Sequence, residues 1–193
     1  MTTTLTCAFT QWHPGLGDNN VMGWLTVVVY FLAAVGSARV ALGLAGQAGL
    51  ARRERGFWWI AAAVMLFLAV NKQLDLQTLF TLIGRCNAQL SGWYDIRRIV
   101  QRDFILGIAG VGIVALGGLA FLLRGILSRI WPALLGLMFV CLFVVVRAAS
   151  FHHMDALLGT WVMGIKMNWI LELPGPILVA LVASRRRRNL REG

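Results

Sequence analysis

The sequence predicts an all-α fold, a polytopic transmembrane bundle of about five helices that forms a single domain over residues 1–193. Hydrophobic residues make up 59% of the chain and charged residues 13%, and the mean hydropathy is +0.73. Too little polar surface is left to cover a soluble globule of this size, so much of the apolar surface must face lipid. A segment that crosses lipid has to satisfy its own backbone hydrogen bonds, which requires helices.

Five apolar runs approach the length of about 20 residues that a helix needs to cross about 30 Å of hydrocarbon. The predicted spans are 21–46, 57–84, 104–123, 130–149 and 160–183. The segment 1–20 has neither a basic start nor an apolar core, so we interpret it as an outer N-terminal segment and not as a cleavable signal peptide. The segments that remain are an outer loop, 85–103, and a basic tail, 184–193.

The arginines divide unevenly between the two sides of this bundle. The richer side holds Arg52, Arg53, Arg55, Arg124, Arg129, Arg185, Arg186, Arg187, Arg188 and Arg191. Positive charge is retained on the cytoplasmic side, so the N-terminus is predicted outside and the C-terminus inside a bacterial inner membrane. Despite a net charge of +10, short arginine clusters between apolar runs argue against a nucleic-acid partner.

This topology brings two of the three cysteines to the outer, oxidising side. Cys7 lies in the N-terminal segment and Cys86 in the outer loop, whereas Cys141 lies within the fourth span. A disulfide between Cys7 and Cys86 would tether these two outer segments, and two separate thiols are the alternative.

Polar and ionisable residues gather near the outer ends of three predicted spans. They are Asn71, Lys72 and Asp75 in the second span, Arg147, His152, His153 and Asp155 at the end of the fourth, and Asn168 and Glu172 in the fifth. Charged groups in a membrane are costly, so they normally face the protein interior and pair, and such a cluster indicates a functional site. Lys72 and Asp75 are three residues apart and could pair. Pro174 and Pro176 predict a helix kink just after this cluster.

Three functions fit this cluster. In the first, the chain is a metal-dependent hydrolase that acts on a lipid or periplasmic substrate, because imidazole and carboxylate groups can hold zinc with one position open for water. The catalytic candidates are Asp75, His152 and Asp155, and the metal-ligand candidates are His152, His153, Asp155, Asp75 and Glu172. In the second, the same groups relay protons or small ions. In the third, which we adopt, they lock the bundle of an accessory or assembly protein that belongs to a larger membrane complex or a homo-oligomer.

The outer loop adds a candidate anion site. Tyr94, Arg97 and Arg98 recur at helical spacing, which predicts a short amphipathic helix at the membrane interface. With Lys72 and Arg147, they could bind a lipid headgroup, because arginine recognises phosphate and carboxylate groups well. The alternative is that the loop arginines pair with acidic residues of the same loop.

Several stretches resemble a family of small uncharacterised bacterial multi-spanning membrane proteins, some of which are labelled isopropylmalate isomerase. The stretches are 12–18, 71–77, 92–94 with 97–98, and 147–155, and the resemblance covers nearly the whole chain. It implies a shared membrane fold and no activity, because that isomerase is a soluble iron–sulfur enzyme and the cysteines here offer no closely spaced ligand set. In residue type, Ser150, His152 or His153, and Asp155 are also similar to the zinc site of membrane hydrolases that include the alkaline ceramidases, which have seven helices.

Overall fold

The chain is helical almost throughout the part that the computed structural model describes, which comprises residues 3–13, 19–92, 99, 102–103, 106–107, 110, 114, 117–119, 121–148, 160–162 and 165–192. The helices are α1 (Thr4–Gln11), α2 (Val21–Gly43), α3 (Leu50–Leu74), α4 (Leu76–Leu90), α5 (Leu127–Ala148), α6 (Met167–Glu172) and α7 (Pro174–Glu192). The strands β1 (Trp161–Val162) and β2 (Ile165–Lys166) pair antiparallel. The predicted all-α class is confirmed.

Four helical segments of the described chain are long and apolar enough to cross a membrane. They are Val21–Gly43, Leu50–Leu74, Leu127–Val145 and Met167–Glu192. Large apolar side chains such as Phe31, Phe67 and Leu142 are more than half exposed on these segments, as expected for surfaces that face lipid. The chain is therefore a multi-pass membrane protein.

The predicted second span, 57–84, differs from the structure because its helix is interrupted at Asp75. The helix α3 begins earlier, at Leu50, and ends at Leu74, and α4 starts after Asp75 adopts a left-handed conformation with φ 48° and ψ 47°. Aspartate tolerates this conformation better than most residues. The Thr78 hydroxyl donates to Asp75 Oδ2 at 2.6 Å and supports the turn.

Two crossing points fix the directions of α7 relative to its neighbours. A Cβ atom on Gly36 of α2 would lie 3.3 Å from Ala183, and one on Gly43 would lie 3.5 Å from Leu190, so α2 and α7 run parallel. A Cβ atom on Gly136 of α5 would lie 3.2 Å from Val179 of α7, and one on Gly175 of α7 would lie 3.0 Å from Val140 of α5. The helices α5 and α7 therefore run antiparallel.

The helices α3 and α5 run in the same direction. Near its start, α3 carries Glu54, which pairs with Arg129 near the start of α5, and the last turn of α3 shares a cavity with Phe143 and Val144 near the end of α5. The bundle thus has a Glu54 end and a Lys72 end, separated by 18 residues of α3 or about 27 Å. Since α3 finishes at the Lys72 end and α5 starts at the Glu54 end, the chain between them joins opposite ends of the bundle.

The predicted fifth span, 160–183, is displaced toward the C-terminus. The strands β1 and β2 occupy its start, and the helix begins only at Met167, breaks at Leu173 and resumes at Pro174. The break coincides with the predicted proline kink, since a proline ring removes a backbone donor. The helix α7 then continues to Glu192 through the predicted basic tail, because arginine is a good helix former.

At the Lys72 end, α1 packs against α4, a helix far along the chain, and we call this disulfide-linked pair of helices the hairpin. The helix α1, inside the predicted outer segment 1–20, packs on α4 around a small core of Ala8, Leu82 and Cys86. A disulfide joins Cys7 to Cys86, with the two Cα atoms 6.0 Å apart. Of the two possibilities left by the sequence, the structure contains the disulfide.

Candidate functional site

A small polar cavity lies at the Lys72 end of the bundle, between α2, α3, α5 and α6. Its polar lining consists of Tyr30, Asn71, Lys72, Asp75 and Glu172, and Leu68, Phe143 and Val144 supply the apolar lining. About 20 Å³ is open to the centres of water molecules. This is room for one or two waters, because a single water needs about 10–15 Å³ on that measure.

The strongest interaction at this cavity is a buried ion pair. Lys72 Nζ lies 2.8 Å from Glu172 Oε2, and each side chain is only 5% exposed. The pair joins the end of α3 to α6 across 100 residues of sequence. A buried charge needs such a partner, because taking an ion out of water costs several kcal/mol.

Further hydrogen bonds hold the Glu172 carboxylate. The Tyr30 hydroxyl donates to Oε1 at 3.4 Å, and the Asn168 amide donates to Oε2 at 3.4 Å. Residues Asn168 and Glu172 are four apart on α6, the spacing expected for a pair on one helix face. The carboxylate therefore has donors from α2, α3 and α6 and ties these three elements together.

Asp75 lies at the rim of the same cavity. It is half-buried, in contrast to Lys72 and Glu172, and its carboxylate accepts the Thr78 hydrogen bond described above. Asp75, Lys72 and Glu172, which the sequence predicted to lie near one another, therefore line the same cavity. Lys72, which we expected to pair with Asp75 at a spacing of three residues, forms its described ion pair with Glu172.

A second buried carboxylate organises the Glu54 end, and the sequence interpretation missed it. Glu54 is fully buried and receives two hydrogen bonds from Arg186 of α7, from Nε at 2.6 Å and from Nη2 at 2.9 Å. Trp58 Nε1 donates to it at 3.4 Å, and Arg129 Nη1 lies 3.8 Å away. The available signal was a single acid within the arginine-rich connection, with a tryptophan four residues later.

Many predicted site residues fall outside the described part of the chain. These are His152, His153, Asp155, Tyr94, Arg97 and Arg98, and for Arg147 only the backbone, in α5, is described. Among the residues that the structure does describe, no three histidine, cysteine, aspartate or glutamate side chains lie close enough together to hold a metal ion. Of the predicted zinc ligands, Asp75 and Glu172 line one cavity.

Comparison of the chain with protein-family models, with curated proteins and with solved structures gives no match.

Proposed function

We propose that this chain is a non-catalytic accessory or assembly protein of a larger membrane complex. The observation that carries the proposal is that the buried charges of the described bundle are paired between helices. One buried ion pair, between Lys72 and Glu172, joins α3 to α6. A second, between Glu54 and Arg186, joins α3 to α7. As lined by the described residues, the cavity beside the first pair has room for one or two water molecules.

The hairpin of α1 and α4 supports a role in contact with a partner. It lies at the Lys72 end, and Leu5, Phe9, Phe80 and Leu90 are each at least half exposed on it. A disulfide keeps its two helices together. A stiff helical pair with exposed apolar side chains is suited to docking against another membrane protein.

We further propose that the chain lies in a bacterial inner membrane, with the Lys72 end facing outward and the Glu54 end facing the cytoplasm. Two independent signals support this orientation. Disulfides persist in oxidising compartments, and Cys7–Cys86 is at the Lys72 end. Arginines are retained on the cytoplasmic side, and Arg129 and Arg186 bind Glu54 at the other end.

The same arrangement supports a fifth crossing within the predicted span 104–123. The chain has to return from the Lys72 end to the Glu54 end between α3 and α5. Described residues of this stretch, including 106–107, 117–119 and 121–123, are helical. Near its end, Gly125 approaches Leu50 at the start of α3, with only 2.8 Å between a Cβ built on the glycine and Leu50 Cδ2. We therefore propose that the chain crosses the membrane five times. We also propose that it belongs to the family of small bacterial membrane proteins that its sequence resembles.

Native gel electrophoresis of membranes solubilised in a mild detergent tests the accessory function. The wild-type chain is expected to migrate in an assembly larger than its own oligomers, and Phe9→Ser with Phe80→Ser to release it from that assembly. The control variant Asn87→Ser changes an exposed polar residue of α4 and should keep the assembly intact. Migration of the wild type as a monomer or simple oligomer would contradict the proposal.

A zinc-dependent membrane hydrolase is the second candidate function. The observation that favours it is the position of Asp75 and Glu172, two of the predicted ligands, on the wall of one cavity. Zinc bound there would need an additional ligand from a histidine, since protein zinc sites normally use several nitrogen, sulfur or oxygen donors. Stoichiometric zinc in gently purified protein, lost in folded Asp75→Ala, His152→Ala and Asp155→Ala variants, would favour this function over the accessory one.

A further inference from the structure

The ends of α2 and α7 near the Glu54 end form a surface that the proposed function does not use. The parallel contacts of Gly36 with Ala183 and of Gly43 with Leu190 keep these two helix ends side by side. On α2, Arg39 lies between the two contact positions. On α7, Arg187 lies between Ala183 and Leu190.

Arg39, Arg187 and Arg191 belong to the two helix ends that pack together here. Arg187 and Arg191 are four residues apart on α7 and share one helix face. Arg187 is close enough to both Arg191 and Arg39 for their charges to repel it. Arg39 and Arg191 are exposed, and Arg187 is half-buried.

Among the described residues, no carboxylate forms an ion pair with this cluster. The ion pairs described above join Lys72 to Glu172 and Arg186 and Arg129 to Glu54, a further one joins Arg102 to Asp103, and none of them involves Arg39, Arg187 or Arg191. Three like charges held together by helix packing repel one another. An anion from outside the chain would relieve this repulsion.

We propose that Arg39, Arg187 and Arg191 form a binding site for the phosphate group of an anionic phospholipid. Clusters of basic residues next to a membrane-spanning helix attract anionic headgroups, and one guanidinium group can donate two hydrogen bonds to the oxygens of a phosphate. The lipid source follows from position. Leu32, two turns before Arg39 on the same face of α2, is 58% exposed and provides an apolar track for an acyl chain.

This site is independent of the proposed accessory function and can be tested on the purified full-length chain in a neutral detergent. Short-chain phosphatidylglycerol is titrated, and the midpoint of thermal unfolding is followed by tryptophan fluorescence. Saturable stabilisation by the lipid is expected, because a ligand that binds only the folded state stabilises it. Arg187→Gln with Arg191→Gln is expected to raise the half-maximal lipid concentration about twenty-fold, and Arg39→Gln about five-fold.

The matched control is Arg124→Gln with Arg185→Gln, which removes the same charge from exposed positions outside the cluster and should change the half-maximal concentration less than about two-fold. Arg39→Gln, at an exposed position of a different helix, keeps the test valid if the α7 double variant fails to fold. Equal weakening by the control pair would overturn the proposal. Equal stabilisation by phosphatidylcholine of the same chain length, or by inorganic phosphate or glycerol phosphate alone, would also overturn it.

Discussion

Glu172 is the residue on which the Lys72 end of the bundle depends most. Its carboxylate is buried and accepts hydrogen bonds from Lys72, Tyr30 and Asn168. Removal of one member of a buried ion pair leaves the other charge without compensation. Replacement of both members by neutral groups of similar size avoids this cost.

Glu172→Gln is therefore expected to lower the free energy of unfolding by about 3–5 kcal/mol, because Lys72 loses its buried anionic partner. Lys72→Met combined with Glu172→Gln should recover most of that loss. The measurement is thermal or denaturant unfolding in detergent, with Glu192→Gln as the control at an exposed position. The single variant Lys72→Met is measured as well. If the loss of stability in the double variant equals the sum of the losses in the two single variants, the ion pair does not stabilise the bundle in the way proposed.

Asp75 adopts a conformation that glycine accepts without strain and β-branched residues do not. Asp75→Gly is expected to retain or slightly raise stability, whereas Asp75→Val should cost about 1–2 kcal/mol. Thermal unfolding of both variants checks this. A strongly destabilised glycine variant would show that the carboxylate, and not the backbone, determines the role of Asp75.

At the residue scale, the sequence identified Lys72, Asp75 and Glu172 because charge inside an apolar run stands out. It could not identify the partner of Lys72, since Glu172 is 100 residues away and helical spacing reports only on neighbours. Glu54 was missed for a related reason. It lies among the arginines of a predicted connection, and its burial follows from its contact with Arg186 of α7, 132 residues away.

At the scale of elements, α5 and α7 cross with their backbones in close approach. A Cβ atom added to Gly136 would lie 2.7 Å from the carbonyl oxygen of Gly175, and one added to Gly175 would lie 2.8 Å from that of Gly136. Small residues at a crossing allow membrane helices to pack closely without a hydrophobic driving force.

Gly136→Ala or Gly175→Ala is accordingly expected to destabilise the bundle by about 1–3 kcal/mol, because the two backbones must separate. Gly56→Ala is the matched control: Gly56 is in α3, and a Cβ atom there would have no neighbour within 4 Å. Unfolding in detergent should show this variant at or above wild-type stability, as alanine is the better helix former. Similar losses for all three variants would exclude the crossing as the cause.

The hairpin of α1 and α4 is an element whose stability depends on its disulfide. In Cys7→Ser with Cys86→Ser, α1 is expected to separate from α4, and a protease that cleaves after aromatic residues should cut near Phe9 at least about tenfold faster. The unfolding midpoint of the bundle should change little, because α1 contacts mainly α4. Cys141→Ser provides the control, and unchanged proteolysis of the double variant would contradict this view of the hairpin.

The apolar runs predicted most of the long helices because the length of a spanning helix is dictated by the membrane. They did not predict the interruption at Asp75, which has neither glycine nor proline beside it. The helix α1 was also missed, since eight residues without strong periodicity resemble a loop in sequence. Its position is fixed by packing on α4, which lies far along the chain.

At the scale of the whole molecule, two buried ion pairs mark the two ends of the bundle. The arginines gather toward the Glu54 end, and the disulfide-linked hairpin lies at the Lys72 end. The five crossings and the outward position of the hairpin that we propose both depend on these ends facing opposite sides of the membrane.

Cysteine labelling in intact cells tests this arrangement most directly. In a Cys141→Ser background, Gln89→Cys is introduced at the Lys72 end and Gln47→Cys in the turn at the Glu54 end, both at exposed positions. A membrane-impermeant maleimide should label the Gln89→Cys protein in intact cells and the Gln47→Cys protein only after the membrane is opened. Labelling of the Gln47→Cys protein alone, or of both proteins, in intact cells would contradict the account.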